Sequence, residues 1–279
     1  MQPHTMNVQD ILVEQRGSDI ATSSLDFRRE SRMLFDDCAA TYPAMDPYWG
    51  SFDELRRELD LDDLLPELAV AGGVLDAGCG PALHLRDMIA WWTTQAPGSR
   101  LQVTGLDFSK PMLARAVREL PEPVDSVRTR FVLGDLVQPD WHPPHLLDCV
   151  LCLNNTLGNI VGHDLHSVSA DRLRVSADFR RLLRPGGLFL LSVFDRANLP
   201  RTDGTVSAYS RDRRIDTRLS DVARGDLVLW RNCADGDEHC CVSHWFTEKE
   251  VQELLKSVGF TDLHLCTIGP RILCSARCQ

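Results

Sequence analysis

The segment Val74–Leu83 (VLDAGCGPAL) has the residue types of a turn that binds a ligand through its main chain. An apolar run ends in Asp76, and Gly78 and Gly80 follow with one residue between them. Backbone amides at a turn between a strand and a helix can hold a phosphate or a carboxylate, and glycines let the ligand approach closely. A dinucleotide fingerprint would have glycine in place of Leu83, and a P-loop would end in Gly-Lys-Ser or Gly-Lys-Thr. Neither pattern is present.

Two further acidic residues follow the next strand-like segments along the chain. Asp107 closes VTGLDFS, and Asp135 lies in LGDL. An ionised carboxylate can accept two hydrogen bonds from a vicinal diol, and the charge strengthens both. Each of these residues also has a purely structural interpretation. Asp107 could simply cap the next helix, Asp135 could be a solvated residue at the end of a strand, and the glycines could simply form a turn. Their joint order and spacing favour a common ligand site.

The order of these motifs resembles that of class I S-adenosylmethionine-dependent methyltransferases. D-x-G-x-G, an acid closing the next strand, a third acidic motif and LLRPGG before the fifth strand follow one another as in that family. The resemblance covers Val70–Asp195 and the closing helix and strands. It implies that S-adenosylmethionine is the cofactor, that the glycine turn borders its methionine part, and that Asp107 binds both ribose hydroxyls. It also implies that Asp135 lies beside the adenine amino group, whereas Ala82 stands where the family most often has a third glycine.

Aromatic and apolar side chains near these motifs complete the predicted cofactor site. Phe108 and Met112 follow Asp107 and are expected to pack on the adenine ring. Tyr42, Tyr48 and Trp49 could close over the cofactor, because an aromatic face attracts a sulfonium; packing of a helix on the core is the alternative. The predicted cofactor-binding residues are Asp76, Gly78, Gly80, Asp107, Phe108, Met112, Asp135, Leu136, Leu153, Tyr48 and Trp49.

The loop CLNNTLGNI after the fourth predicted strand is expected to bind the methyl acceptor. It resembles the corresponding segment of glycine and sarcosine N-methyltransferases, in which a Leu-Gly-Asn-Ser type sequence follows the strand. That resemblance implies a Leu153 carbonyl near the acceptor and an Asn155 amide that helps to hold it, with Asn154 in place of the glycine. The alternative is that Asn154 and Asn155 form an Asx-turn at the end of the strand.

Histidine and arginine residues supply further candidates for the acceptor site. His163 or His166 could act as a base for a hydroxyl or thiol, although either could simply be exposed. The predicted catalytic residues are thus Asn155, Leu153 and His163. An amino-acid acceptor would need an arginine for its carboxylate. The candidates for this role are Arg172, Arg174, Arg196 and the group from Arg211 to Arg218.

Apolar strands and amphipathic helices alternate after residue 70, which predicts a parallel sheet covered on both faces. We expect a Rossmann-like α/β fold with a seven-stranded, mostly parallel sheet. Residues 1–69 are predicted to form an N-terminal arm and a helical cap, and residues 70–279 the core. A β-rich lid is predicted at about 198–245. The carboxyl ends of parallel strands are where a ligand of such a sheet binds.

Composition excludes several classes of protein. The 279 residues include 30 basic and 40 acidic residues, and the resulting formal charge of −10 disfavours binding to nucleic acid or to an anionic membrane. The sequence shows no signal peptide or membrane span, so we expect a cytoplasmic protein. Cys149 and Cys152 lie three apart in a predicted strand, where their side chains face opposite sides, so we expect no metal site.

These observations lead to one functional prediction with several alternatives. We expect a methyltransferase that acts on a small molecule, with N-methylation of an amine or amino-acid-like acceptor as the first choice. O-methylation of a hydroxylated metabolite and a non-catalytic, cofactor-binding partner protein are the alternatives, and homodimer formation is left open. A nicotinamide dehydrogenase is disfavoured by Leu83.

Overall fold

A large sheet and a small one organise the chain. The computed structural model describes residues 12–13, 25–42, 50–62, 73–95, 100–120, 125–138, 142–162, 164–199 and 213–279. The strands of the large sheet are β1 (Leu12–Val13), β2 (Gly73–Ala77), β3 (Leu101–Asp107), β4 (Val127–Leu133), β5 (Leu147–Cys152), β6 (Leu183–Phe194), β10 (Phe260–Ile268) and β11 (Arg271–Cys278). Their spatial order is β1-β4-β3-β2-β5-β6-β11-β10, and only β11 runs antiparallel to its neighbours β6 and β10. The predicted mostly parallel, seven-stranded sheet is confirmed, and the two-residue β1 extends its edge.

The parallel register brings the ends of the central strands to one edge. Asp76 in β2 pairs with Gly105 in β3, and Asp107 at the end of β3 pairs with Leu133 in β4. On the other side, Asp76 pairs with Leu151 of β5. The turn after β2 and the loops after β3, β4 and β5 therefore meet at the carboxyl edge of the sheet.

Six α-helices are present among the described residues. They are α1 (Phe27–Cys38), α2 (Phe52–Glu58), α3 (Leu83–Gln95), α4 (Lys110–Glu119), α5 (Val168–Leu182) and α6 (Glu248–Ser257). Four of them, α1, α2, α4 and α6, begin at a side-chain cap, whose oxygen satisfies an amide that the first turn leaves free. Ser51 accepts a hydrogen bond from the Glu54 amide at 3.1 Å. Thr247 and Glu250 form a capping box at the start of α6.

The two faces of the sheet carry separate hydrophobic clusters. Alternate residues of β2, Val74 and Leu75, belong to different clusters because successive strand side chains point to opposite faces. One cluster packs α2, α3 and α4 on the sheet, and the other packs α5 and α6. Every residue of β5 is buried, which explains why five of its six residues are apolar, and its one acid, Asp148, pairs with Arg184.

The segment after β6 forms a small antiparallel sheet at the ligand edge. Its strands are β7 (Arg214–Ile215), β8 (Asp226–Asn232) and β9 (Glu238–His244). Leu227, Leu229 and Cys241 of this sheet pack in one cluster with Leu34 of α1 and with Met112. The predicted antiparallel insertion is thus present, and it packs against α1.

The start of β6 differs from the sequence prediction. The segment LLRPGG was expected to come before the fifth strand, but β6 begins at Leu183 and runs through Pro185, Gly186 and Gly187. The difference arises because Leu147 of β5 pairs with Leu183 before a register shift, so the pairing starts ahead of the glycines.

None of the described helices has the length and apolar character needed to cross a membrane.

Candidate functional site

The turn after β2 is built from residues in left-handed backbone conformations. Gly78 has φ +72° and Gly80 has φ +51°, values that favour glycine. A Cβ on Gly78 would lie 2.4 Å from Thr156 Cγ2. Thr156 belongs to the loop after β5 (residues 153–159), which is predicted to bind the acceptor and is called the acceptor loop. The close approach of this loop therefore also requires glycine at position 78. Ala82 adopts φ +57° and is fully buried, and it carries a backbone cost of about 1 kcal/mol. The turn therefore keeps the geometry of a three-glycine loop with alanine at its third position.

Asp107 joins this turn to the end of β3. Its Oδ2 accepts a hydrogen bond from the Gly80 amide and its Oδ1 accepts one from the Ser109 amide, both at 2.8 Å. The carboxylate is only 6% exposed. Burial raises its pKa to about 6, although the two amides act in the opposite direction. Asp107 is thus a charged acceptor at neutral pH.

Asp76 lies one strand away and differs in charge. It is buried at the end of β2, and burial together with the charge of Asp107 raises its pKa to about 8. Two neighbouring acids in a buried site cannot both ionise easily. At neutral pH the negative charge therefore resides on Asp107, and Asp76 is largely protonated.

Asp135 is held by both the core and α1. Its Oδ1 accepts a hydrogen bond from the Val137 amide at 2.8 Å, and its Oδ2 accepts one from Arg28 Nε. A second link from α1 is the 2.5 Å hydrogen bond that Ser109 Oγ donates to Asp36 Oδ1. Helix α1 is therefore anchored to the loops that follow β3 and β4.

These residues surround one cavity of about 900 Å³, a volume that includes its opening to solvent. Arg28, Ser31, Phe35 and Tyr42 contribute to its wall from the N-terminal segment. The predicted site residues that line it are Asp76, Gly78, Gly80, Asp107, Phe108, Met112, Asp135, Leu136 and Leu153.

The loop after β5 turns sharply through two adjacent asparagines. Asn154 has φ +51° and Asn155 has φ +62°, a conformation that asparagine tolerates better than most residues. The Asn154 amide donates to Ser192 Oγ at 2.7 Å. The Leu153 carbonyl accepts hydrogen bonds from both the amide and the hydroxyl of Thr156. This carbonyl, predicted to lie near the acceptor, is therefore used within the turn.

Asn155 does not line the cavity, contrary to the sequence prediction. It is fully buried, its Oδ1 accepts a hydrogen bond from the Phe194 amide at 3.1 Å, and its Nδ2 donates to Ser243 Oγ at 3.2 Å. The left-handed turn directs this side chain toward β6 and β9. Asn155 thus fastens the loop to the small sheet, and its neighbour Asn154 lines the cavity instead.

Sequence analysis missed the pair formed by His84 and Asn154. Both residues line the cavity, and Asn154 Nδ2 lies 2.7 Å from His84 Nε2. Burial lowers the pKa of His84 to about 4, so the ring is neutral at pH 7. A polar residue in the apolar start of α3, directly after the glycine turn, was the signal available in the sequence. Asn159, from the same acceptor loop, also lines the cavity.

Other predicted residues fall elsewhere. Tyr48, Trp49, His163 and Arg211 lie outside the described residues. His166 is exposed and is absent from the described lining of the cavity.

The candidate arginines that are described do not line the cavity. Arg172 pairs with Asp226, Arg174 with Asp171, Arg196 with Glu250 and Arg214 with Glu238. Arg213 and Arg218 are also outside the described lining. The arginine that does line it is Arg28, whose guanidinium pairs with Asp135.

Comparison with known proteins gives one family match. A family model described as a methyltransferase domain matches residues 74–187, which run from β2 into β6. Comparison with curated proteins gives no match.

Solved structures resemble nearly the whole chain. An S-adenosylmethionine-dependent methyltransferase from Clostridium acetobutylicum ATCC 824 has a TM-score of 0.58 at 14% identity, covering 88% of this chain and 98% of that one. The CcbJ methyltransferase from Streptomyces caelestis has a TM-score of 0.56 at 17% identity, covering 88% and 98%. The DhpI-SAM-HEP complex has a TM-score of 0.56 at 20% identity, covering 92% and 100%. The fold of this chain is therefore the Rossmann-like fold of S-adenosylmethionine-dependent methyltransferases.

Proposed function

We propose that this protein is an S-adenosylmethionine-dependent methyltransferase that N-methylates a small amine. The observation that carries the proposal is the position of Asp107. This buried, ionised carboxylate lies between the glycine turn and the cavity. It is at the edge of the sheet where β5 ends and the acceptor loop begins. The methyltransferase-domain match and the shared fold support the same general class.

The residues present fit the proposed cofactor. Each oxygen of Asp107 accepts one backbone amide, so each keeps a lone pair for a ribose hydroxyl. Phe108 and Met112 offer apolar surface for an adenine ring, and Asp135 offers a carboxylate oxygen for its amino group. Arg28 already donates a hydrogen bond to Oδ2 of this carboxylate. When adenine binds, either α1 moves Arg28 away from Asp135 or Arg28 and the adenine amino group both donate to the same carboxylate. The glycine turn would border the methionine part.

The chain promotes the reaction mainly by positioning and by excluding water. S-adenosylmethionine supplies a methyl group activated by a sulfonium. In-line displacement at such a carbon needs the donor and acceptor aligned and shielded from solvent. Helix α1 and the small sheet pack together over this edge, through Leu34 and Leu229 among others, and so restrict access of water. The acceptor loop from Leu153 to Asn159 orients the acceptor.

An amine is the favoured acceptor because the loop contributes two amide side chains to the cavity, Asn154 and Asn159, while the hydroxyl of Thr156 donates to the Leu153 carbonyl. An amide oxygen accepts the N–H bonds of a neutral amine and leaves its lone pair available for the methyl carbon. A hydroxyl acceptor needs a base that removes its proton, and His84 Nε2 already accepts a hydrogen bond from Asn154. These contacts support N-methylation over O-methylation.

Transfer of labelled methyl groups tests the proposal. The folded protein is incubated with methyl-labelled S-adenosylmethionine and a protein-free extract of small metabolites, and labelled products are separated and identified. We expect label in an amine product, with transfer strongly reduced in Asp107→Ala and unchanged in Asp125→Ala, an exposed control. Label on a hydroxyl oxygen would instead support O-methylation. Cofactor binding without any labelled product would support a non-catalytic role.

A further inference from the structure

Two asparagines in the cavity wall have a buried amide oxygen without a hydrogen-bond partner among the described residues. They are Asn154 and Asn159, both in the loop after β5. Asn154 is only 8% exposed. Buried acceptors are almost always paired in folded proteins, because an unpaired one destabilises the fold. Both residues line the same cavity, so a molecule bound there that reaches these oxygens would supply the missing donors.

The backbone holds Asn154 in a conformation that is unusual for a residue with a side chain. Its φ of +51° would suit glycine better, and its backbone N–H is fixed by a 2.7 Å hydrogen bond to Ser192 Oγ. Backbone strain of this kind is commonly found at ligand sites, where the surrounding structure maintains it. Asparagine is among the residues that tolerate this conformation, and the turn places the Asn154 side chain in the cavity wall.

His84 fixes the orientation of that amide. Asn154 Nδ2 can only donate, so His84 Nε2 must be the acceptor of their 2.7 Å hydrogen bond. The ring is then the neutral tautomer with its proton on Nδ1. With Nδ2 held by His84, Oδ1 is the part of the Asn154 amide left to meet a ligand.

We propose that Asn154 and Asn159 bind the N–H donors of the methyl acceptor through their amide oxygens, with His84 as a positioning residue for Asn154. The inference rests on the proposed methyltransferase function and specifies its substrate class. The acceptor is a small amine that presents at least two N–H donors to neutral oxygens. A site with buried acceptors strongly rejects analogues that lack the donors, since these leave the oxygens unpaired.

The test compares variants for acceptor use and cofactor affinity. Transfer of label from methyl-labelled S-adenosylmethionine is measured over a dilution series of metabolite extract, which gives a half-saturating extract concentration. Asn154→Gly suits the left-handed backbone and removes the amide, while Asn159→Ala removes the second oxygen. We expect each to raise the half-saturating concentration about tenfold or more, with the cofactor Kd unchanged within about twofold. Asn232→Ala, at an exposed end of β8, is the matched control.

Two further measurements examine His84 itself. His84→Leu should raise the half-saturating concentration as Asn154→Gly does, and His84→Gln should rescue it in part because its side-chain oxygen can accept from Asn154 Nδ2. In nitrogen NMR spectra, the wild-type His84 ring should show the neutral Nδ1–H tautomer, and Asn154→Gly should shift its Nε2 resonance. These NMR spectra are recorded on the protein without any methyl acceptor, so the result does not depend on turnover.

The outcomes separate this inference from the proposed function. If the wild type transfers label and Asn154→Gly and Asn159→Ala behave as it does, the inference is wrong and the methyltransferase function stands. If the wild type transfers no label, the proposed function is contradicted and the acceptor role with it. An unshifted His84 Nε2 signal in Asn154→Gly overturns the positioning role.

Discussion

Two neighbouring aspartates show how local surroundings set charge within this site. Asp107 accepts hydrogen bonds from the Gly80 and Ser109 amides, which oppose the effect of burial and keep its pKa at about 6. Asp76, one strand away, is buried beside that charge and its pKa rises to about 8. Because amide hydrogen bonds favour the ionised form, the charged acceptor lies at the end of β3. This is where the sugar of the proposed cofactor needs one.

Cofactor affinity should depend on pH through Asp107. The ionised carboxylate accepts the ribose hydroxyls, so protonation below its pKa of about 6 removes acceptor capacity. We expect S-adenosylhomocysteine to bind about tenfold more weakly at pH 5 than at pH 8. Asp107→Asn should bind weakly with a flat profile over the same range. A wild-type profile that is equally flat would show that Asp107 does not bind the ligand.

The structure assigns Asn155 a role in folding rather than in acceptor binding. Asn155→Ala would leave the Phe194 amide and the Ser243 hydroxyl without their present partner and would place alanine at φ +62°. We expect the free energy of unfolding in urea to fall by about 3 kcal/mol, with cofactor Kd unchanged. Asn232→Ala, the exposed control, should stay within about 0.5 kcal/mol. Normal stability combined with lost turnover would restore the acceptor role predicted from the sequence.

At the residue scale, the sequence could identify the acids but not the orientation of the asparagines. Asp107 and Asp135 follow strands of a parallel sheet, and the carboxyl ends of such strands meet at one edge. Asn154 and Asn155 are adjacent and both have positive φ, so only the three-dimensional turn determines which side chain lines the cavity. His84 was missed because its role depends on Asn154, 70 residues further along the chain.

Between elements, a buried charged network fixes the acceptor loop to α5 and the small sheet. Arg172 of α5 is 4% exposed, donates to Asp226 Oδ1 at 3.0 Å and to the Gly158 carbonyl at 3.2 Å. His244 Nδ1 lies 2.8 Å from the same Asp226 oxygen. Asp226 begins β8, His244 ends β9, and Gly158 belongs to the acceptor loop. The network therefore connects α5 and the small sheet to the acceptor loop, which lines the cavity.

Removing Arg172 should affect stability more than cofactor binding. Arg172→Met keeps most of the side-chain volume but leaves Asp226 without its guanidinium partner. We expect the free energy of unfolding to fall by about 3 kcal/mol, since breaking a buried ion pair leaves a charge poorly compensated. Arg174→Met, an exposed neighbour on the same helix, is the control. Unchanged stability with a large loss of acceptor affinity would support the sequence hypothesis that Arg172 binds a substrate carboxylate.

At the element scale, periodicity predicted the alternation of strands and helices and the antiparallel insertion. It could not predict that β6 begins at Leu183, because that start depends on pairing with Leu147 of β5. Nor could it show which arginines are engaged in ion pairs, since Asp226 and Glu250 lie more than 50 residues from Arg172 and Arg196.

In the molecule as a whole, three parts converge on one cavity. The large sheet supplies the glycine turn and the acids, α1 supplies Arg28 and Ser31, and the small sheet secures the acceptor loop through Ser243. The resemblance stated from the sequence covered the large sheet and its loops. The contribution of α1 rests on long-range contacts, such as that between Arg28 and Asp135, that no local pattern encodes.

Isothermal calorimetry with S-adenosylmethionine and S-adenosylhomocysteine tests the central claim most directly. We expect saturable binding of both compounds by the folded protein, at least about tenfold weaker binding by Asp107→Ala, and unchanged binding by Asp125→Ala. Circular dichroism establishes that each variant is folded. The absence of heat from either compound with the folded wild-type protein would contradict the claim that this cavity holds the cofactor.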